Sequence, residues 1–148
     1  MSVAESWNWF IQNVPEERVI ANDDVEFAPD SLEKLVAADA DLVWAGCGFS
    51  CFLLRDSCVR KVGLFDEAIS PGYAYYEDED YLQRIDGRGT RPAVVRLANV
   101  DCGVVHKQSQ TLKVASPEGM AEHHRKFRIA QKNYMQKWGI SYEEMFGS

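Results

Sequence analysis

The hydrophobic period of this chain keeps switching between helical and strand spacing, and no element is long enough to dominate. Ser2-Val-Ala-Glu5 matches a capping box, and Trp7, Phe10, Ile11 and Val14 then recur at helical spacing until Pro15. A strand over Arg18–Ala21 runs into Asn22-Asp23-Asp24-Val25, and Pro29-Asp30-Ser31 opens a second helix with Leu32, Leu35 and Val36 on its apolar face. Asp41–Ala45 and Cys51–Leu54 read as strands on either side of a Gly46-Cys47-Gly48 turn. Asp56 is placed to cap a short helix that Gly63 ends. Glu77-Asp78-Glu79-Asp80 opens a helix carrying Tyr81, Leu82 and Ile85, closed near Gly87. Strands over Pro92–Leu97 and Val100–His106 follow. Ser116-Pro117-Glu118 is a strong helix start, and Phe127, Ala130, Tyr134 and Trp138 give that helix its apolar stripe up to Gly139. Alternating helices and strands predict an α/β fold with a mostly parallel sheet flanked by helices.

Size and charge narrow the function. A length of 148 residues suits one domain, expected over residues 1–140 with a short acidic tail over 141–148. The apolar runs fall far short of the roughly 20 residues that cross a bilayer. With no secretory signal in view, the expectation is a soluble, cytoplasmic protein. Net charge is −7, from 23 acids against 16 bases, which repels phosphate backbones and argues against nucleic acid as a partner. A nucleotide-sugar stays compatible, because a divalent cation can bridge acidic side chains to a diphosphate. Cys47, Cys51, Cys58 and Cys102 contain no CxxC pair, so they are expected as reduced, buried thiols rather than zinc ligands.

Three segments can carry chemistry, and each has a plainer reading. Asn22-Asp23-Asp24 sits at a strand end, where oxygen ligands suit Mg²⁺ or Mn²⁺. The plainer reading of the same residues is a turn out of a sheet. Glu77-Asp78-Glu79-Asp80 follows the aromatic Tyr73-Ala-Tyr-Tyr76 loop. The helix dipole accounts for one or two of these acids, whereas crowding raises carboxylate pKa values and suits a general base. His106 lies at a predicted strand end beside Lys107 and ahead of the polar Gln108-Ser-Gln-Thr111. A lone histidine there is either a packed residue or a ligand. His123 and His124, on the long helix, are expected to face solvent.

Taken in order, these pieces resemble the family 2 glycosyltransferases of GT-A fold. The resemblance rests on Val19-Ile-Ala-Asn-Asp-Asp-Val25, Gly48-Phe-Ser-Cys-Phe-Leu-Leu-Arg55, Val62-Gly-Leu-Phe-Asp-Glu67, Tyr76-Glu-Asp-Glu-Asp-Tyr-Leu-Gln-Arg84, Val104-Val-His106 and Lys137-Trp-Gly139. It implies a metal-dependent, inverting transfer of a sugar from a nucleotide-sugar to a carbohydrate or other hydroxyl acceptor. By the same resemblance Asp24 and His106 hold Mn²⁺ or Mg²⁺, Asn22 and Asp23 contact the donor, Asp78 is the base and Glu77 assists it. Asp66, Asp80 and Arg84 look like supports of the helix and loop. The family's first βαβ half has no counterpart here, so the chain is expected to be the acceptor-side portion. A homo-oligomer or an N-terminal partner half would complete it. The alternatives are a catalytically incomplete fragment acting as a carbohydrate-binding or assembly module, and a metal-dependent phosphohydrolase using the same acids.

Overall fold

The computed structural model describes residues 1–87, 94–107 and 115–147. The chain divides into two compact units, one built from Met1–Asn8, Phe65–Ala93 and Ala115–Ser148, the other from Trp9–Leu64 and Val94–Val114. Among the described residues no helix is long and apolar enough to cross a membrane.

The second unit is a mixed sheet. Strands β1 (Glu17–Ala21), β3 (Leu42–Trp44), β4 (Cys51–Arg55) and β5 (Leu97–Asn99) lie in the order β1-β4-β3-β5. Both β1 and β3 pair antiparallel with β4, and only β3 and β5 are parallel. The expectation of a mostly parallel sheet is therefore corrected. The Ala45–Ser50 connection, with a single 3-10 turn at Gly48–Ser50, is too short for the crossover that parallel neighbours require. What alternation cannot reveal is the direction of a strand that returns after a tight turn.

β4 is the centre of the sheet, and its sequence says so. Cys51, Phe52, Leu53 and Leu54 are all at most 1% exposed, an unbroken apolar run buried on both faces. Each such side chain contributes roughly 1.5–3 kcal/mol of transfer free energy. Leu35 of α2 (Ser31–Ala37) completes this core at 0% exposure, whereas Leu32 and Val36 are 53% and 44% exposed, so only one of the predicted apolar trio is buried. The Ser31 hydroxyl ties α2 to the other end of the unit by donating to the Cys102 carbonyl at 2.7 Å.

The Asp41 carboxylate is the polar hinge of this sheet. It is 1% exposed and accepts from the Arg96 backbone N–H at 2.8 Å, from Lys61 Nζ at 2.7 Å and from the Ser57 hydroxyl. Burial alone would raise its pKa, but these donors outweigh it and hold the carboxyl well below the usual range. Asp56 does not cap α3 (Asp56–Val62) as expected. It is the helix's first residue, and its carboxylate accepts from the buried Arg18 guanidinium and the Glu16 N–H. A second ladder pairs β2 (Val25–Glu26) with β6 (Val105–His106), antiparallel. Of the strands predicted over Pro92–Leu97 and Val100–His106, the first gives way to β5, which overlaps it only at Leu97, and the second shortens to β6. Pro92 lies outside the described residues. The cysteines are free thiols, with Cys51, Cys58 and Cys102 buried and Cys47 only half-buried.

The other unit is helical. The expected capping box starts α1 (Val3–Asn13): the Ser2 hydroxyl accepts from the Glu5 N–H at 3.1 Å while the Glu5 carboxylate accepts from the Ser2 N–H. Trp7 meets Phe65 edge-on, and Phe65 stacks on Tyr81 of α4 (Glu77–Asp86) with centroids 4.2 Å apart. The long helix α5 (Pro117–Trp138) is capped by Ser116 and stopped by Gly139 at φ 63°. Of its predicted stripe Ala130 and Tyr134 are buried, while Phe127 and Trp138 are half-buried. The expected tail instead contains α6 (Tyr142–Phe146), started by a full capping box between Ser141 and Glu144.

Candidate functional site

The sheet unit holds the first group of candidates. β1 ends at Ala21, and Asn22, Asp23 and Asp24 turn the chain into β2, with the Asn22 N–H donating to the Ser50 carbonyl at 2.9 Å. Asn22 and Asp23 are exposed at this turn, while Asp24 is half-buried. The β2–β6 ladder places Val25 opposite His106, and the Lys107 N–H donates to the Asp24 carbonyl at 2.8 Å. That register brings together two residues far apart in sequence. His106 Nε2 lies 3.1 Å from Asp24 Oδ1, with the side chains 24% and 14% exposed. The two do not meet along a hydrogen-bonding line, and Asp24 Oδ1, shielded from solvent, has no hydrogen-bond partner among the described residues. A buried carboxylate oxygen in that state is costly unless something cationic joins it.

Gly103 makes this arrangement possible. Its φ is +74°, and a Cβ there would stand 2.9 Å from the Ala28 Cβ, so the chain leading into β6 can pass only without a side chain. The sequence reading overlooked this glycine, whose signal is its position three residues before His106. Gln108–Thr111, the polar run that follows His106, lie outside the described residues.

The helical unit holds the second group. Tyr75 and Tyr76 both have positive φ, 91° and 67°, immediately before α4. Two consecutive non-glycine residues in this region store backbone strain, of order 1–3 kcal/mol each, and such strain persists where surrounding packing fixes it. The packing here is aromatic: Tyr75 meets His123 and Phe127 edge-on, and Tyr76 lies 5.2 Å from Tyr134. His123 does not face solvent as expected, because its Nδ1 shares a hydrogen bond with the Tyr73 hydroxyl at 2.9 Å.

The four acids that follow fall into distinct environments. Asp80 is fully buried and bound by Lys137 Nζ at 2.6 Å, Trp138 Nε1 at 2.9 Å and Arg84 Nε at 3.1 Å, so it fastens α4 to α5. Asp66 also accepts from Lys137, at 2.7 Å. Asp80, Arg84 and Asp66 are thus supports. Glu77 is 4% exposed, and its Oε2 has no hydrogen-bond partner among the described residues. Burial, reinforced by the Asp78 charge, pushes its carboxyl up to about 7 against the N–H groups that stabilise the anion. Burial also raises Asp78, whose Oδ1 accepts from the Glu79 N–H at 2.9 Å. Glu77 and Asp78 are therefore adjacent carboxyls with raised pKa, while Asp24 and His106 form a pair in the other unit. No group of three or more metal-ligating side chains occurs among the described residues.

No protein-family model, curated protein or solved structure matches this chain.

Proposed function

We propose that this chain carries the chemistry of a metal-dependent, inverting glycosyltransferase of the GT-A type, acting on a nucleotide-sugar and a hydroxyl acceptor. The observation that carries the reading is the Asp24–His106 pair: a buried, unpartnered carboxylate oxygen and an imidazole nitrogen 3.1 Å apart, at a strand end. The carboxylate oxygen suits Mn²⁺ or Mg²⁺, and the imidazole nitrogen favours Mn²⁺ of the two. Two protein ligands suffice where diphosphate oxygens and water complete the shell. When bound, such an ion would offset the negative charge that builds on a departing diphosphate. Asn22 and Asp23, exposed on the same turn, are the side chains available to the ribose or the donor sugar.

Asp78 is the base of this reading. It takes the proton of the acceptor hydroxyl as that oxygen bonds to the anomeric carbon from the face opposite the leaving group, so the bond to diphosphate breaks with inversion. A carboxylate with raised pKa is the better proton acceptor. Glu77, protonated up to about pH 7, spares Asp78 a second adjacent charge. Asp78→Asn should abolish UDP release from a panel of UDP-sugars and acceptors while leaving Mn²⁺–UDP binding intact. Undiminished turnover in that variant would remove Asp78 from the reaction.

A further inference from the structure

Helix α5 gathers positive charge in an acidic chain: Arg125, Lys126, Arg128, Lys132 and Lys137 against Glu118 and Glu122. Arg125 and Lys126 are paired with Glu122, and Lys137 with Asp66 and Asp80. Arg128 and Lys132 are exposed and have no ion pair among the described residues. They border two neighbouring cavities that share Arg128 and Gln131. One, of about 610 Å³, is lined by His124, Phe127, Arg128, Gln131, Tyr142 and Phe146. The other, of about 630 Å³, continues past Lys132 to Gly139 and Ser141. Neither has an aspartate or glutamate among its lining residues.

The chemistry of this lining is selective. Tyr142 and Phe146 lean on one another with ring centroids 4.6 Å apart yet stay 67% and 50% exposed, so aromatic surface remains available. Arg128 offers a planar fork matched to a carboxylate or a phosphate. Gln131 spends its amide N–H on the Tyr76 hydroxyl at 2.8 Å, which leaves its carbonyl oxygen to accept from a ligand hydroxyl. The cavity volume suits a small molecule. We infer that the α5–α6 cleft binds a sugar bearing an anionic group, carboxylate or phosphate, with Arg128 on the anion, Tyr142 and Phe146 against the ring and Gln131 on a hydroxyl. Tyr76 immediately precedes Glu77 and Asp78, so the bound sugar is a fitting acceptor. That assignment rests on the transferase reading, whereas the binding itself does not.

Calorimetric titration of the whole chain, without nucleotide or divalent cation, tests the cleft with glucose 6-phosphate, glucuronate, glucose and inorganic phosphate. At least one anionic sugar should bind saturably and about tenfold or more tighter than glucose or phosphate. Arg128→Gln should erase that preference, and Tyr142→Ala should weaken binding about fivefold or more. Both positions are exposed, so neither variant disturbs the core. No saturation with either anionic sugar, binding unchanged in both variants, or phosphate binding as tightly as the sugars would overturn the inference. Titrating the parent chain with Mn²⁺–UDP as well separates the two readings. Sugar binding without nucleotide binding sinks only the transferase, and the reverse sinks only the cleft.

Discussion

Asp24 Oδ1 and His106 Nε2 stand 3.1 Å apart across the β2–β6 ladder, and the oxygen is buried without a hydrogen bond. Their backbones serve the β2–β6 ladder, but the Asp24 Oδ1 has no hydrogen-bond partner among the described residues, so its charge adds little to the fold. Removing the orphaned charge should therefore cost the fold little. Asp24→Asn is expected to match or exceed the parent in chemical denaturation without metal, within about 1 kcal/mol, while losing Mn²⁺-dependent nucleotide binding. A loss of several kcal/mol would mark Asp24 as structural.

Gly103→Ala should damage the same pair indirectly. The added methyl would meet the Ala28 Cβ at 2.9 Å in a backbone conformation that favours glycine. A destabilisation of roughly 1–3 kcal/mol, with weakened Mn²⁺ binding, is the expected result. Wild-type stability and metal affinity together would show that the approach into β6 is looser than described.

Glu77 gives a pH signature with a definite sign. The folded chain holds its proton up to about pH 7, while the unfolded chain loses it near 4.5. Between those values the native state binds more protons, so stability falls as pH rises and levels off above 7. The window corresponds to roughly 3–4 kcal/mol. Glu77→Gln should flatten that slope and be more stable than the parent at pH 8. A slope that survives the substitution would place the titration elsewhere.

Asp80 is the counter-case among the four acids. Its carboxylate is fully buried against Lys137, Arg84 and Trp138, so Asp80→Ala leaves Lys137 and Arg84 without their shared anion. A loss of roughly 3 kcal/mol or more in urea unfolding is expected. Less than about 1 kcal/mol would mean that α4 and α5 are held by apolar packing alone.

What the sequence disclosed depended on how local the cause was. Capping at Ser2 and Ser116, the stop at Gly139 and the strand over Cys51–Leu54 are decided within a few residues, and all appear as read. Strand direction is not local, which is why β4 turned out antiparallel to both neighbours. The run Glu77–Asp80 looked like one acidic cluster, yet tertiary packing made Asp80 a salt-bridge anchor and left Glu77 Oε2 alone. Asp24 and His106 were paired in the sequence only by the family resemblance, and the β2–β6 register is what brings them together in space. The roles of Gly103 and Arg128 were illegible, because each depends on what another segment places beside it.

The central claim is that Asp24 and His106 hold a divalent cation for a nucleoside diphosphate. Thermal unfolding of the chain with UDP and GDP, each with and without Mn²⁺, beside Asp24→Ala, tests it directly. Saturating ligand should raise the midpoint by about 5–10 °C, only with Mn²⁺ and only in the parent. A rise without metal, an equal rise in Asp24→Ala, or no rise with either nucleotide would contradict it.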